Sequence, residues 1–201
     1  MTGENADAGG GFPASAETRP ARVFVALKIA PEIALALAAF GRGLEKFSVR
    51  AVAVPDIHLT LVPPWAEMSM PEAVEKLRSV ADKHMPFELA IRHVGYGPEP
   101  RRPRFLWADC VASEPLASLR ASLLQVYGQT DERPFRPHVT LARLHDKGRK
   151  IARALPVDED LDLVQYIETV ELMQSPRPGE RGYKVVASLP LRGKPEFVEA
   201  T

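Results

Sequence analysis

The sequence predicts an α+β protein whose antiparallel sheets are covered by helices. Three observations lead there. Runs rich in β-branched and aromatic residues come mostly as hairpin pairs. Stretches with apolar residues at steps of three and four separate those pairs. The composition, 45% hydrophobic and 26% charged over 201 residues, suits a chain that buries a core without staples. The length fits one domain, or two small lobes sharing a chain.

Arg22 to Leu27 (RVFVAL) reads as the first strand. Pro31 suits a first helical turn, and Ile33, Leu37, Phe40, Leu44 and Phe47 then recur on one helix face, interrupted only by Gly41 and Gly43. Val49 to Val54 is a short strand. Pro71 opens a second helix with Val74, Leu77 and Ala81 inward, and Pro86 ends it. Phe87 to Tyr96 is extended, GPEPRRPR turns, and Phe105 to Val111 returns antiparallel. Ser113, Glu114 and Pro115 start a third helix, which buries Leu116, Leu119, Leu123 and Val126 and stops at Gly128. Lys147 to Leu155 is a short helix. Asp158 to Asp162 reads as an exposed acidic turn, and Val164 to Gln174 and Tyr183 to Leu189 as a closing hairpin joined by SPRPGERG. Hairpins dominate the pairing, which favours α+β over a parallel sheet.

Bulk properties exclude several classes. The formal net charge is zero, so no long nucleic-acid or membrane surface is advertised, although a small anion held locally is compatible. The single cysteine, Cys110, allows no internal disulfide and no Cys-rich zinc site, and fits a reducing cytoplasm. No stretch approaches a membrane span. Residues 1–20 are rich in Gly, Ala, Ser and Glu and lack the apolar centre of a signal peptide; they read as a flexible tail ahead of one domain over 21–201.

The informative feature is a doubled motif. VPDIHLTL holds His58, Thr60 and Leu61, and RPFRPHVTLAR holds His138, Thr140 and Leu141, in a chain with five histidines. On a strand, residues two apart share a face. Each motif therefore sends an imidazole and a hydroxyl to one side, roughly 7 Å apart, and apolar residues to the other. The alternative is a pair of half-exposed strands that happen to carry polar residues.

Two such pairs suit displacement at phosphorus. One imidazole takes a proton from water while the other gives one to the leaving oxygen, and imidazole is available in both forms near neutrality. Thr60 and Thr140 would hold non-bridging oxygens. Metal ligation is the weaker use, because neither HxH nor HExxH occurs. No cofactor is called for.

At these residues the chain resembles the 2H phosphoesterase superfamily, and more closely the bacterial RNA 2′,3′-cyclic phosphodiesterases, historically called 2′-5′ RNA ligases. RVFVALKIAP is similar to that family's opening strand, VPDIHLTL and RPFRPHVTLAR to its two motifs, PRFLWADC to the strand before the third helix, and VELMQSPRPGERGYKVVASLPL to its closing hairpin. The resemblance runs from about Arg22 to Leu191. It implies a bilobal fold of two antiparallel sheets flanked by helices around a central cleft, with a pseudo-two-fold axis. It implies metal-independent opening of a 2′,3′-cyclic phosphate to a 2′-phosphate, with His58 the acid toward O3′ and His138 the base toward water. It also brings Arg143 to the phosphate, although strict alternation sets Arg143 on the face opposite His138 unless the strand bulges. After the first motif the chain departs from the family's pattern with Val62, Pro63, Pro64 and Trp65, so the cleft edge is expected to be reshaped.

Other residues have two readings. Phe135 and Trp65 could stack on a base or pack in the core. Trp107 reads as core. Arg101, Arg102 and Arg104, and likewise Lys147, Arg149, Lys150 and Arg153, could track RNA phosphates or form solvated faces. His84, His93 and His145 lack a threonine partner and read as structural or surface residues, with His145 close enough in sequence to the cleft to be a minor candidate. The expected partners are RNA ends or cyclic nucleotides, with no membrane and no obligate protein partner. Rival functions are joining or cleaving 2′-5′ linkages, opening an ADP-ribose cyclic phosphate, or holding an RNA end without turnover.

Overall fold

In the computed structural model, residues 20–47, 49–99, 101–132 and 134–194 are described; the expected N-terminal tail lies almost wholly outside them. The elements in chain order are β1 (Ala21–Lys28), α1 (Pro31–Ala39), β2 (Arg50–Ala51), β3 (His58–Glu67), α2 (Met70–Ala81), β4 (Phe87–Gly97), β5 (Phe105–Cys110), α3 (Glu114–Val126), β6 (His138–Arg143), α4 (Gly148–Ala154), β7 (Asp158–Ile167), β8 (Thr169–Gln174) and β9 (Lys184–Pro190). No helix among the described residues is long and apolar enough to cross a membrane.

Among the described residues nine strands form one antiparallel sheet in the order β7-β4-β5-β6-β3-β1-β8-β9, with β2 on β6. The sheet has a narrow waist. β3 and β6 are registered through a single pair, Leu59 with Val139, whereas β1–β3 and β5–β6 pair along their lengths. The expected two antiparallel sheets are thus the two halves either side of this seam. One half is β3-β1-β8-β9 and the other β6-β5-β4-β7. In each half a central strand leads through a helix into a motif strand: β1-α1-β3 and β5-α3-β6. That repeat is the pseudo-two-fold.

Alternation decides what each face of the sheet carries. Val23, Val25 and Leu27, Leu59 and Leu61, Leu89 and Ile91, Leu106 and Ala108, and Val139 and Leu141 join residues of all four helices in one buried cluster. The helices therefore cover one face. The other face carries a small separate cluster of Phe24, Ala26 and Met173 with Tyr183, and both motif pairs. Burying a Leu or Val side chain is worth about 1.5–3 kcal/mol, so the apolar half of each motif strand fixes which way the polar half looks.

Helix α2 is capped by Ser69, whose hydroxyl accepts the Glu72 N–H, and α3 buries Leu116, Leu119 and Leu123 as its spacing predicts.

The structure corrects four sequence expectations. Helix α1 stops at Ala39, and Leu44 and Phe47 belong to a separate 3-10 turn, because Gly43 takes a left-handed φ of +86°. The expected Val49–Val54 strand shrinks to Arg50–Ala51, and Val54–Asp56 is a 3-10 turn. The acidic stretch Asp158–Asp162 is strand rather than turn. It opens β7, which pairs with β4, and the chain then crosses at Glu168 to the other half as β8. The single strand expected over Val164–Gln174 is therefore two strands in opposite halves of the sheet.

Candidate active site

The motifs flank the seam. Leu59 pairs with Val139, and continuing that antiparallel register one residue each way sets His58 across from Thr140 and Thr60 across from His138. The two polar pairs thus lie diagonally about the waist, on the face the helices leave open. His58 feels the charges of Arg143 and His138, which fixes the proximity of these groups.

Each imidazole is held in the same way. His58 Nδ1 donates to the Asp56 carbonyl at 2.6 Å, and His138 Nδ1 donates to the Arg136 carbonyl at 2.8 Å. A carbonyl oxygen only accepts, so both neutral rings carry hydrogen on Nδ1 and the lone pair on Nε2. The residues lending those carbonyls are themselves tied down. Asp56 accepts the Tyr183 N–H at 2.9 Å, and Arg136 makes two bonds to Asp109, Nε–Oδ1 at 3.0 Å and Nη2–Oδ2 at 3.1 Å.

The walls differ between halves. His58 sits in an aromatic nook, with Phe24 at 5.0 Å and Tyr183 edge-on at 5.1 Å between ring centres. Burial there pushes its pKa below the ordinary value of 6.5, and the positive charges of Arg143 and His138 add to this; the Asp56 hydrogen bond and charge oppose it. His138 rests on Trp107, ring centres 4.4 Å apart, and the Arg136 guanidinium lies over the same indole at 4.7 Å. Trp107 in turn stacks on Phe105 at 6.2 Å.

Arg143 reaches the open face through a β-bulge. Ala142 pairs with Leu106 and Thr140 with Trp107, so Leu141 is the extra residue, and both Leu141 and Ala142 point into the core. Arg143 then falls opposite Phe105, with its guanidinium 5.8 Å from that ring. The first motif repeats the device. Ala26 pairs with Thr60 and Val25 with Val62, which skips Leu61. The position matching Arg143 is Pro63, so this arginine has no counterpart in the other half. Pro63 and Pro64 sit where β3 has no partner on its β6 side beyond Leu59, and the missing N–H groups cost nothing there.

Two weaker sequence candidates lie elsewhere. Trp65 pairs with Val23, a core-facing residue, and packs on Tyr127 at 4.6 Å with its Nε1–H donated to Glu67. It is on the helix-covered face, because a second irregularity in β3 resets the alternation after Val62. Phe135 packs against the core, and the Arg120 guanidinium lies 4.5 Å over its ring. His84 bonds Ser122, and His93 bridges Asp158 at 2.7 Å and Asp109 at 3.7 Å. Burial of Cys110, helped by the Asp109 charge, pushes its thiol up to about 12, which disfavours the thiolate.

Sequence reasoning missed Trp107, Arg136, Asp109 and Tyr183 as supports of the histidines. Only the short spacing of Arg136 from His138 signalled any of them. Lys28, registered with His58, is a further cation at the site's edge.

The arrangement can exchange protons at two Nε2 atoms across a gap lined by two hydroxyls and one guanidinium. Among the described residues no three His, Cys, Asp or Glu stand as a metal-binding group.

Comparisons with known proteins agree with this architecture. The RNA 2',3'-cyclic phosphodiesterase of Geobacillus stearothermophilus is 29% identical over 188 residues, covering 86% of this chain and 58% of that protein. A second protein of that name, from Aquifex aeolicus, is 25% identical over 108 residues, covering 50% of this chain and 57% of the relative. The chain thus spans under two thirds of the length of either curated relative. The crystal structure of TT0787 of Thermus thermophilus superposes with a TM-score of 0.71 at 25% identity, covering 86% of this chain and 99% of that one. The model of the 2'-5' RNA ligase superfamily matches residues 29–175, which include both motifs, and this chain belongs to that superfamily.

Proposed function

We propose that this protein opens 2′,3′-cyclic phosphodiesters at the ends of RNA or on nucleotides, leaving a 2′-phosphate, by paired imidazole acid–base chemistry without a metal. One observation carries the reading: two His-x-Thr pairs meet at the waist of the sheet, and each Nδ1 is spent on a backbone carbonyl.

In the proposed step water attacks phosphorus opposite O3′. His138 Nε2 takes the water proton as the new P–O bond forms. The P–O3′ bond breaks, and O3′ receives the proton from His58 Nε2–H. The product is a 2′-phosphate and a free 3′-hydroxyl, and the two rings have exchanged protonation states, which solvent resets. Thr60, Thr140 and Arg143 take the non-bridging oxygens and stabilise the charge that gathers there. Each positioned acid or base contributes roughly 10²–10⁴-fold. His58 at rest is disposed to be neutral, and an arriving phosphate anion favours its charged form, so substrate itself arms the acid. The lone, half-buried Cys110 fits the reducing interior of a cell.

Purified protein should convert a 2′,3′-cyclic nucleotide to the 2′-phosphate in the presence of EDTA. His58→Ala and His138→Ala should each lose about 10²-fold or more in kcat while keeping the fold. Wild-type rates in both variants would overturn the reading, and loss of activity in EDTA would overturn its metal independence. The superfamily's name keeps a second reaction at the same site in view: forming or cleaving 2′-5′ linkages. A panel adding 2′-5′-linked RNA and an ADP-ribose cyclic phosphate separates these activities. Tight product binding with no turnover of any member would mark a binding module instead.

A further inference from the structure

A large cavity lies beside the histidines rather than between them. It encloses about 710 Å³ and is lined by Arg102, Arg104, Arg143 and Arg149 with Phe105 and His145. Arg143 lines it at the end of the second motif strand, and Phe105 stacks on Trp107, the ring that backs His138, so the cavity adjoins the candidate active site. One carboxylate, Asp146, stands among these four guanidinium groups. Among the described residues none of the four is ion-paired; the arginine pairs are those of Arg78, Arg92, Arg120 and Arg136. In a protein of zero formal net charge, this is a local concentration of cations.

The cavity is also built. The Arg104 N–H donates to the Gly97 carbonyl at 2.8 Å, and the Arg104 carbonyl accepts the Leu144 N–H at 2.9 Å. Gly148 meets the Pro103 carbonyl so closely that a Cβ there would stand 1.7 Å from the oxygen. The turn bearing Arg102 and the helix bearing Arg149 are therefore held face to face. The guanidinium groups of Arg104 and Arg143 lie 5.9 Å and 5.8 Å from the centre of the Phe105 ring, so a flat apolar surface is flanked by cations. A polynucleotide strand offers both partners, bases that stack and phosphates that pair. The opposite half of the sheet has Pro63 at the position of Arg143, which gives the arrangement a direction.

We propose that this cavity is a second phosphate subsite, which takes the phosphodiester preceding the reacting end, so that the preferred substrate is an oligonucleotide terminus rather than a free cyclic nucleotide. This rests on the hydrolase reading above. The test compares 2′,3′-cyclic AMP with a tetranucleotide ending in the same adenosine 2′,3′-cyclic phosphate. Wild-type protein should favour the tetranucleotide by about ten-fold or more in kcat/KM, the yield of one charge-assisted hydrogen bond. In an Arg102→Ala/Arg149→Ala double variant that ratio should fall several-fold toward unity, with circular dichroism and melting temperature matching the wild type. The salt dependence of log(kcat/KM) for the tetranucleotide should flatten by roughly 0.7 for each phosphate no longer neutralised. Equal kcat/KM for the two substrates in the wild type, or a ratio unmoved in the double variant, overturns the subsite while leaving the hydrolase reading intact. No turnover of either substrate overturns that reading and the subsite with it.

Discussion

Each motif histidine spends its Nδ1–H on a carbonyl two residues upstream, and the two sites are walled by different means. Around His58 the aromatic rings of Phe24 and Tyr183 exclude water, and burial, with the cations of Arg143 and His138 behind it, lowers the pKa against the pull of Asp56. An NMR titration should therefore find His58 protonating below pH 6.5. Replacing Arg143 by alanine removes one lowering charge, so the midpoint should move upward in that variant. An unmoved midpoint would mean that the guanidinium does not face the ring. His58, Thr60, His138 and Thr140 could be found from sequence because a period of two needs no knowledge of the partner strand. Asp109 and Trp107 could not, since their relation to His138 exists only through β5–β6 pairing across some thirty residues of chain.

At the scale of elements, helices and hairpins with strong local signals fall where their residues predict: α3 over Glu114–Val126, β4 over Phe87–Gly97, β9 over Lys184–Pro190. The failures have physical causes. Gly43 ended a helical pattern that apolar spacing alone would have continued. The acidic start of β7 looked like a turn because one of its neighbours is solvent; an edge strand tolerates charge on both faces. Arg143 shows the reverse case, where alternation forbade the residue and a bulge restored it. Packing beside that bulge is tight. Trp107, 4% exposed, lies so close over Gly97 that a Cβ there would stand 2.2 Å from its ring. Gly97→Ala should destabilise the protein by about 1–3 kcal/mol, as overpacking does, and should displace the indole that backs His138. Denaturant unfolding reads the first effect and near-ultraviolet circular dichroism the second. A variant with wild-type stability and an unchanged tryptophan signal would show that the ring can slide aside without consequence.

At the scale of the whole molecule the motif strands of the two halves are registered through one residue pair, Leu59 and Val139, and the chain crosses back at Glu168. The site belongs to neither half. His58 is shielded by residues of its own half, Phe24 and Tyr183, while the cations that disfavour its charged form, Arg143 and His138, come from the other. Burial within its own half is thus the main cause of its lowered pKa and the charges from the other half add to it, and linkage turns the shift into stability. In the unfolded chain the ring titrates near 6.5; in the native protein it binds its proton only at lower pH. Between those two values the unfolded state carries more protons, so stability increases with pH across that window. The contribution is fully present above about pH 6.5 and is lost as pH falls through the native pKa. Urea unfolding at pH 8 and at pH 5.5 should show a larger loss of stability on acidification for the wild type than for His58→Gln, in which that proton is absent. If both proteins lose the same amount, the folded protein does not hold His58 neutral, and burial among Phe24 and Tyr183 fails as the account of its titration.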